Sequence, residues 1–132
     1  DQETYGFVGE VKNITNQTLV TLLSQGKIPL IPSLCYSEQG DLLNINADYL
    51  ARAVAISLGA KKLILMTDVK GVLENDQVLE HLNFVDVHKK IDSGVITGGM
   101  IPKIQSAVQT VQAGVEQVII GDNLTDGTII KE

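Results

Sequence analysis

At 132 residues, with 44% hydrophobic and 20% charged residues, the chain has the length of one compact domain with a single core, and no apolar run approaches the roughly 20 residues a helix needs to span a bilayer. A formal net charge of −6, with no basic stripe or aromatic platform, works against nonspecific nucleic-acid binding, which relies on Lys and Arg neutralising phosphates. The one cysteine, Cys35, cannot close an intramolecular disulfide; within Ile31-Pro32-Ser33-Leu34-Cys35-Tyr36 it reads as a small core residue. The opening Asp1-Gln2-Glu3 carries neither a basic segment nor an apolar targeting stretch, so a cytoplasmic location is expected.

In chain order, Leu19, Leu22 and Leu23 share a helical face, and Gly26 supplies a stop. The apolar run Lys27 to Leu34 then predicts a strand, followed by a hairpin-like interruption at Ser37-Glu38-Gln39-Gly40-Asp41. Leu50, Val54, Ala55 and Leu58 recur at steps of three or four and predict a helix that ends at Gly59. A second strand is predicted over Lys62 to Met66, with a second turn at Glu74-Asn75-Asp76-Gln77 and a short helix over Val85 to Ile91. Met100, Ile104, Ala107, Val108 and Val111 predict a further helix ending at Gly114, before strands over Val115 to Ile120 and Thr128 to Ile130.

Strands alternating with helices long enough to cross over a sheet indicate an α/β domain, a three-layer αβα arrangement with a mainly parallel sheet, spanning 1–132 as one domain. Ligands of open α/β sheets usually lie outside the carboxyl ends of the strands. That rule directs attention to Asn44, Asp48, Thr67, Asp68 and the helix start near Gly99.

Three segments carry candidate chemistry, each with a plain structural reading beside it. In Asn44-Ile45-Asn46-Ala47-Asp48, Asn46 can cap the following helix and Asp48 suits its first turn. Alternatively, Asn44 binds a polar substrate while Asp48 holds cationic side chains. In Gly94-Val95-Ile96-Thr97-Gly98-Gly99-Met100-Ile101-Pro102-Lys103, two glycines precede a helix with a lysine in its first turns, a pattern that suits phosphate. A glycine turn followed by a solvated lysine explains the same letters, and the spacing is not that of a Walker motif. Thr67-Asp68-Val69-Lys70-Gly71-Val72-Leu73 could wrap a nucleoside or could be a tight turn after a strand. His81 and His88 stand apart from metal-ligand spacing, so no metal site is expected, and no Gly-x-Ser-x-Gly elbow supports nucleophilic hydrolysis.

Taken in order with Gly6-Phe7-Val8-Gly9-Glu10-Val11, these segments resemble the amino-acid kinase superfamily, from about Tyr5 to Ile120. Within it, Asn-Ile-Asn-Ala-Asp and Gly-Gly-Met-Ile-Pro-Lys are most similar to the N-acetylglutamate kinases. The resemblance implies transfer of the ATP γ-phosphoryl group to the side-chain carboxylate of N-acetyl-L-glutamate, in arginine biosynthesis, with Mg²⁺ bound through the ATP phosphates. By the same match Lys103 stabilises charge on the transferring group. Asp48 orients Lys103 and a second lysine, and Asn44 contacts the acetylated amino acid. Asp68, Val69, Lys70, Gly71, Val72 and Leu73, with Val95, Ile96 and Thr97, surround the nucleotide.

The family's glycine-rich phosphate loops, first catalytic lysine and substrate-clamping arginine find no match here, so the chain is expected to be the C-terminal half, with the N-terminal half of the same enzyme as its partner. A homo-oligomer is compatible with the resemblance; nucleic acid and membrane are not expected as partners. After Ile120 the chain reaches Thr128 quickly, where relatives usually carry another helix. Another carboxylate or carbamate kinase, and a nucleotide-binding or regulatory module without turnover, stay open as alternatives.

Overall fold

The computed structural model describes residues 6–132, so the Asp1-Gln2-Glu3 start and Tyr5 lie outside the described residues. The chain divides into two compact units, Asp1–Leu58 and Gly59–Glu132.

In the first unit, α1 (Gln17–Ser24) carries the predicted leucines, and Gly26 follows its C-cap Gln25 with φ 71°, letting the Lys27 N–H donate back to the Leu22 carbonyl at 3.0 Å. The strand expected over Lys27 to Leu34 does not form. Only its last residue enters β1 (Leu34–Tyr36), and Ile28 and Leu30 are 88% and 92% exposed. A strand is held by hydrogen bonds to a neighbour, and Pro29 and Pro32 remove two donors from this run; among the described residues no strand pairs with 27–33.

The Ser37 to Asp41 turn is a hairpin, as predicted. It joins β1 antiparallel to β2 (Leu42–Asn44), with Cys35 opposite Leu43, and Ser37 Oγ accepts from the N–H groups of Gln39 and Asp41 at 3.2 and 3.1 Å. Cys35, expected in the core, is only half-buried, because it sits in a two-stranded ribbon. The unit closes with α2 (Ala47–Ser57).

The second unit is built on a four-stranded sheet of order β3-β7-β8-β6. Its strands are β3 (Lys62–Met66), β6 (His81–Leu82), β7 (Gln117–Gly121) and β8 (Thr128–Ile130). β3 and β7 run parallel with Met66 opposite Gly121, β6 and β8 run parallel, and β7 and β8 are antiparallel. The strand expected over Val115 to Ile120 begins two residues later, at Gln117.

Between β3 and β6, β4 (Leu73–Glu74) and β5 (Gln77–Val78) form a two-residue hairpin whose central Asn75 and Asp76 both have positive φ, 51° and 61°. That is the turn whose twist matches paired strands, and Asn and Asp tolerate it better than most side chains. α3 (Phe84–Asp92) follows, capped by Asn83 Oδ1 accepting from Asp86 N–H at 2.9 Å.

α4 (Met100–Gln112) supplies the core. Ile104, Ala107 and Val108 recur at helical spacing and are buried with Val118, Ile120 and Ile130 of the sheet. Fully burying one such isoleucine contributes about 1.5–3 kcal/mol. Leu65 of β3, Leu82 of β6, Val87 of α3 and the loop residues Val72 and Ile96 belong to the same cluster.

Candidate functional site

The first unit contributes the Asn44 to Asp48 segment. Asn44 ends β2, its N–H donating to the Phe7 carbonyl at 2.7 Å and its carbonyl accepting from Gly9 N–H at 2.9 Å, so the Gly6 to Val11 segment lies beside it. The capping expected of Asn46 is present: its Oδ1 accepts from Asp48 N–H and Tyr49 N–H at 3.0 and 3.3 Å. Asp48 therefore enters the helix through its backbone, and its half-buried carboxylate is not the capping group.

The second unit contributes the remaining candidates. Because β3 and β7 are parallel neighbours in register, Thr67-Asp68 and Gly121-Asp122 leave the sheet side by side at the carboxyl ends, where the Thr67 N–H donates to the Gly121 carbonyl at 2.9 Å. Asp68 and Lys70 are exposed there, Val69 is half-buried, and Thr67 Oγ1 bonds Asp68 Oδ1 at 3.2 Å. Val72 turns inward, 2% exposed, and serves the core, while Leu73 returns to the surface at the start of β4.

Val95, Ile96 and Thr97 follow α3. The N–H groups of Val95 and Ile96 both donate to the Lys90 carbonyl, at 2.9 and 3.0 Å, and Ile96 is 1% exposed. Val72 and Ile96 thus root both predicted nucleotide segments in one hydrophobic cluster, leaving Asp68, Lys70 and Thr97 on the surface.

From Thr97 the chain passes through Gly98 and Gly99 into α4, whose N-terminus has no side-chain cap and no acidic residue in its first turn. The first-turn donors of α4 are already used, since Met100 N–H and Ile101 N–H donate to the Thr97 and Gly98 carbonyls at 3.2 Å and Pro102 has no N–H, so what the helix presents is the positive end of its dipole. Pro102 and the half-buried Lys103 follow within that turn and the next. A positive dipole end beside an ammonium group suits a phosphate.

A cleft of ≈ 700 Å³ lies on the second unit, lined in part by Lys70, Glu80, His81, Asp122 and Asp126. The β7–β8 turn supplies part of that lining, and within it Asn123 Oδ1 accepts from the N–H groups of Thr125 and Asp126 at 2.8 and 2.7 Å. His81 and His88 are exposed, as their surface reading expects. The sequence reading missed Thr128, which is buried and bonded to the Asp68–Leu73 loop. The closely spaced Gly121 and Gly127 were its only sequence signal, since tight glycine pairs mark close backbone approach.

The profile of the amino acid kinase family matches residues 1–122. An acetylglutamate kinase of Streptococcus mutans serotype c is 59% identical over 130 residues, which cover 98% of this chain and 53% of that protein. Among solved structures, a crystal structure from Streptococcus mutans UA159 superposes with a TM-score of 0.87 at 59% identity, covering 99% of this chain and 54% of that one. The N-acetylglutamate synthase of Neisseria gonorrhoeae, in complex with coenzyme A and L-arginine, gives a TM-score of 0.81 at 25% identity, covering 95% of this chain and 32% of that one. The chain spans about half the length of the curated relatives it matches. Its fold class, αβα with a mainly parallel sheet, is that of the solved structures it superposes on. With that profile running over most of its length, the chain belongs to the amino acid kinase family.

Proposed function

We propose that the chain is the nucleotide-binding half of an enzyme that transfers the γ-phosphoryl group of ATP to the side-chain carboxylate of N-acetyl-L-glutamate, a step in arginine biosynthesis. The observation that carries this reading is the identity with an acetylglutamate kinase along nearly the whole chain. The positions of the candidate residues, at strand ends and at a helix start without a side-chain cap, support it.

The chemistry needs no general base. A side-chain carboxylate with an ordinary value of about 4.3 is already ionised near neutral pH, so one of its oxygens attacks the γ-phosphorus directly. The bond from that phosphorus to the β–γ bridging oxygen breaks, ADP leaves, and an acyl phosphate forms. The obstacle is the approach of one anion to another. Lys103 and the positive end of the α4 dipole offset that repulsion most where charge redistributes in the transition state.

Asp48 holds lysine side chains in place, and Asn44 binds the acetylated amino acid. Asp68, Val69, Lys70, Gly71 and Leu73, with Val95 and Thr97, surround the nucleotide, and Val72 and Ile96 anchor those loops. Mg²⁺ enters on the ATP phosphates, as is usual for this cation in phosphoryl transfer. Mg²⁺ bound there neutralises phosphate charge. The half of the polypeptide outside this chain supplies the remaining phosphate and acceptor contacts.

Among the described residues no helix is long and apolar enough to cross a membrane. A cytoplasmic enzyme without nucleic-acid or membrane partners completes the reading, and a homo-oligomer is compatible with it. ADP release by the full-length enzyme, measured with Mg-ATP and N-acetylglutamate, glutamate, aspartate or carbamate in turn, tests it. N-acetylglutamate should be the preferred acceptor, and preference for another would reassign the substrate within the family. The isolated 132-residue chain should show little or no turnover.

A second reading, a nucleotide-binding or regulatory module without turnover, is favoured by one observation. The Neisseria gonorrhoeae protein that matches 95% of this chain is named a synthase, so a module of this fold occurs outside the kinases. Nucleotide binding by the full-length protein without ADP release for any acceptor would select this alternative.

A further inference from the structure

Both ends of the Asp68–Leu73 loop are tied to the two strands that flank one turn. At the first end, the Thr67 N–H donates to the carbonyl of Gly121, the last residue of β7. At the other, the Val72 N–H donates to Oγ1 of Thr128, the first residue of β8, at 2.8 Å across 56 positions of sequence. Thr128 is 0% exposed, so this bond is made away from water. The Val72 carbonyl is also occupied, accepting from Leu79 N–H at 2.8 Å.

The contact is close enough to dictate the residue beside it. Gly71 has φ +149°, and a Cβ there would lie 2.7 Å from Thr128 Oγ1 and 3.0 Å from the Thr128 backbone nitrogen. Thr128 is fixed from behind as well: it stands opposite Ile120 in the β7–β8 pair, and a Cβ on Gly127 would lie 2.3 Å from the Ile120 carbonyl oxygen. The hydroxyl therefore has a set position and a set task.

We infer that Thr128 is a positioning residue that presets the Asp68–Leu73 loop for the nucleotide, an inference that rests on the reading of that loop as nucleotide-binding. A loop held in its bound shape beforehand avoids the ordering cost of binding, so the benefit falls on nucleotide affinity. Thr128→Val keeps shape and volume but removes the acceptor, leaving the Val72 N–H buried without a partner. Thr128→Ser keeps the acceptor.

The test is steady-state kinetics of the full-length enzyme, comparing both variants with Asp68→Ala and Leu73→Asp, which perturb the loop's outer face directly. Thr128→Val should raise KM for Mg-ATP about five- to tenfold, leave KM for N-acetylglutamate within about twofold, and lower kcat less than it raises that KM. Thr128→Ser should stay near wild type, and deuterium uptake over 68–73 should rise in Thr128→Val alone.

An unchanged KM for Mg-ATP in Thr128→Val, while the outer-face variants raise it, overturns the positioning role and leaves the loop's function standing. No change in any of the four variants overturns the reading of the loop itself. A Thr128→Val enzyme that does not fold, or one in which both KM values and kcat deteriorate together, makes the residue structural and also overturns the proposal.

Discussion

Two apolar runs of similar character meet different fates in the two units. Lys62–Met66 becomes β3, paired along its length with β7 and backed by a cluster that includes Leu65, Val118 and Ile120. Lys27 to Leu34, equally apolar, stays irregular until its last residue and exposes Ile28 and Leu30 almost fully. Phe7, Tyr36 and Tyr49 of the first unit are exposed too, while Ile45 and Ala55 are its only buried apolar residues among those described. An apolar run states that burial is available to a segment; it does not state that a neighbour is there to provide it. The second unit contains its own neighbours, whereas the first keeps apolar surface that the other half of a protein twice this length would cover under the proposed reading.

The largest expected effect is catalytic and belongs to the second unit. Lys103→Met in the full-length enzyme should lower kcat about 10²- to 10³-fold, with a smaller change in KM for ATP, because the lysine is assigned to charge that develops in the transition state. An unchanged kcat in the ADP-release assay would remove Lys103 from the reaction and leave the start of α4 as a structural feature only.

The next effect tests the contrast in packing directly. Ile104→Ala empties a fully buried position beneath the sheet and should cost about 2–5 kcal/mol by urea unfolding of the 132-residue chain. Leu30→Ala in the same chain should change stability by less than about 0.5 kcal/mol, since that side chain is already in water. In the full-length enzyme the Leu30 cost should grow to core-like size if the other half covers it. Equal, small effects of Leu30→Ala in both contexts would show that the first unit's apolar surface stays open.

Local physics made much of this arrangement legible in the sequence. The spacing of Met100, Ile104, Ala107 and Val111 specified α4, and Asn75-Asp76 specified the hairpin turn, because each depends on residues within a few positions of one another. β3 was legible as a short apolar run that a parallel neighbour happens to flank. The Lys27 to Leu34 strand failed because pairing is decided at long range, and because Pro29 and Pro32 count against a strand more heavily than hydrophobicity counts for it. Of the residues to which strand-end reasoning pointed, Thr67 and Asp68 leave β3 at its carboxyl end, with Asp68 exposed. Thr128 was invisible: a hydroxyl that bonds an N–H 56 residues away leaves no periodic or spacing signal, and only the glycines around it hint at the close approach.

The smallest expected effect uses a cap that both units share in kind. Asn46 caps α2 of the first unit with bonds to two N–H groups, and Asn83 caps α3 of the second with one. Replacing either with alanine should cost about 1 kcal/mol of local helix stability, because an N-terminal donor loses its partner. The difference should lie in how that cost is felt. α3 is bound into the core through Val87, so in Asn83→Ala the loss should be shared with the whole second unit and read as a lower unfolding midpoint. Each helix has one buried residue, but Ala55 of α2 lies outside the core cluster, which Val87 joins with Phe84 and Ile91 packed against it, so opening of α2 leaves the cluster intact. Asn46→Ala should therefore show as about fivefold faster amide exchange confined to α2, the factor that about 1 kcal/mol represents, with little change in the midpoint. If Asn46→Ala lowers the midpoint as much as Asn83→Ala and exchange rises throughout, the first unit unfolds together with the second, and the contrast in packing does not extend to cooperativity.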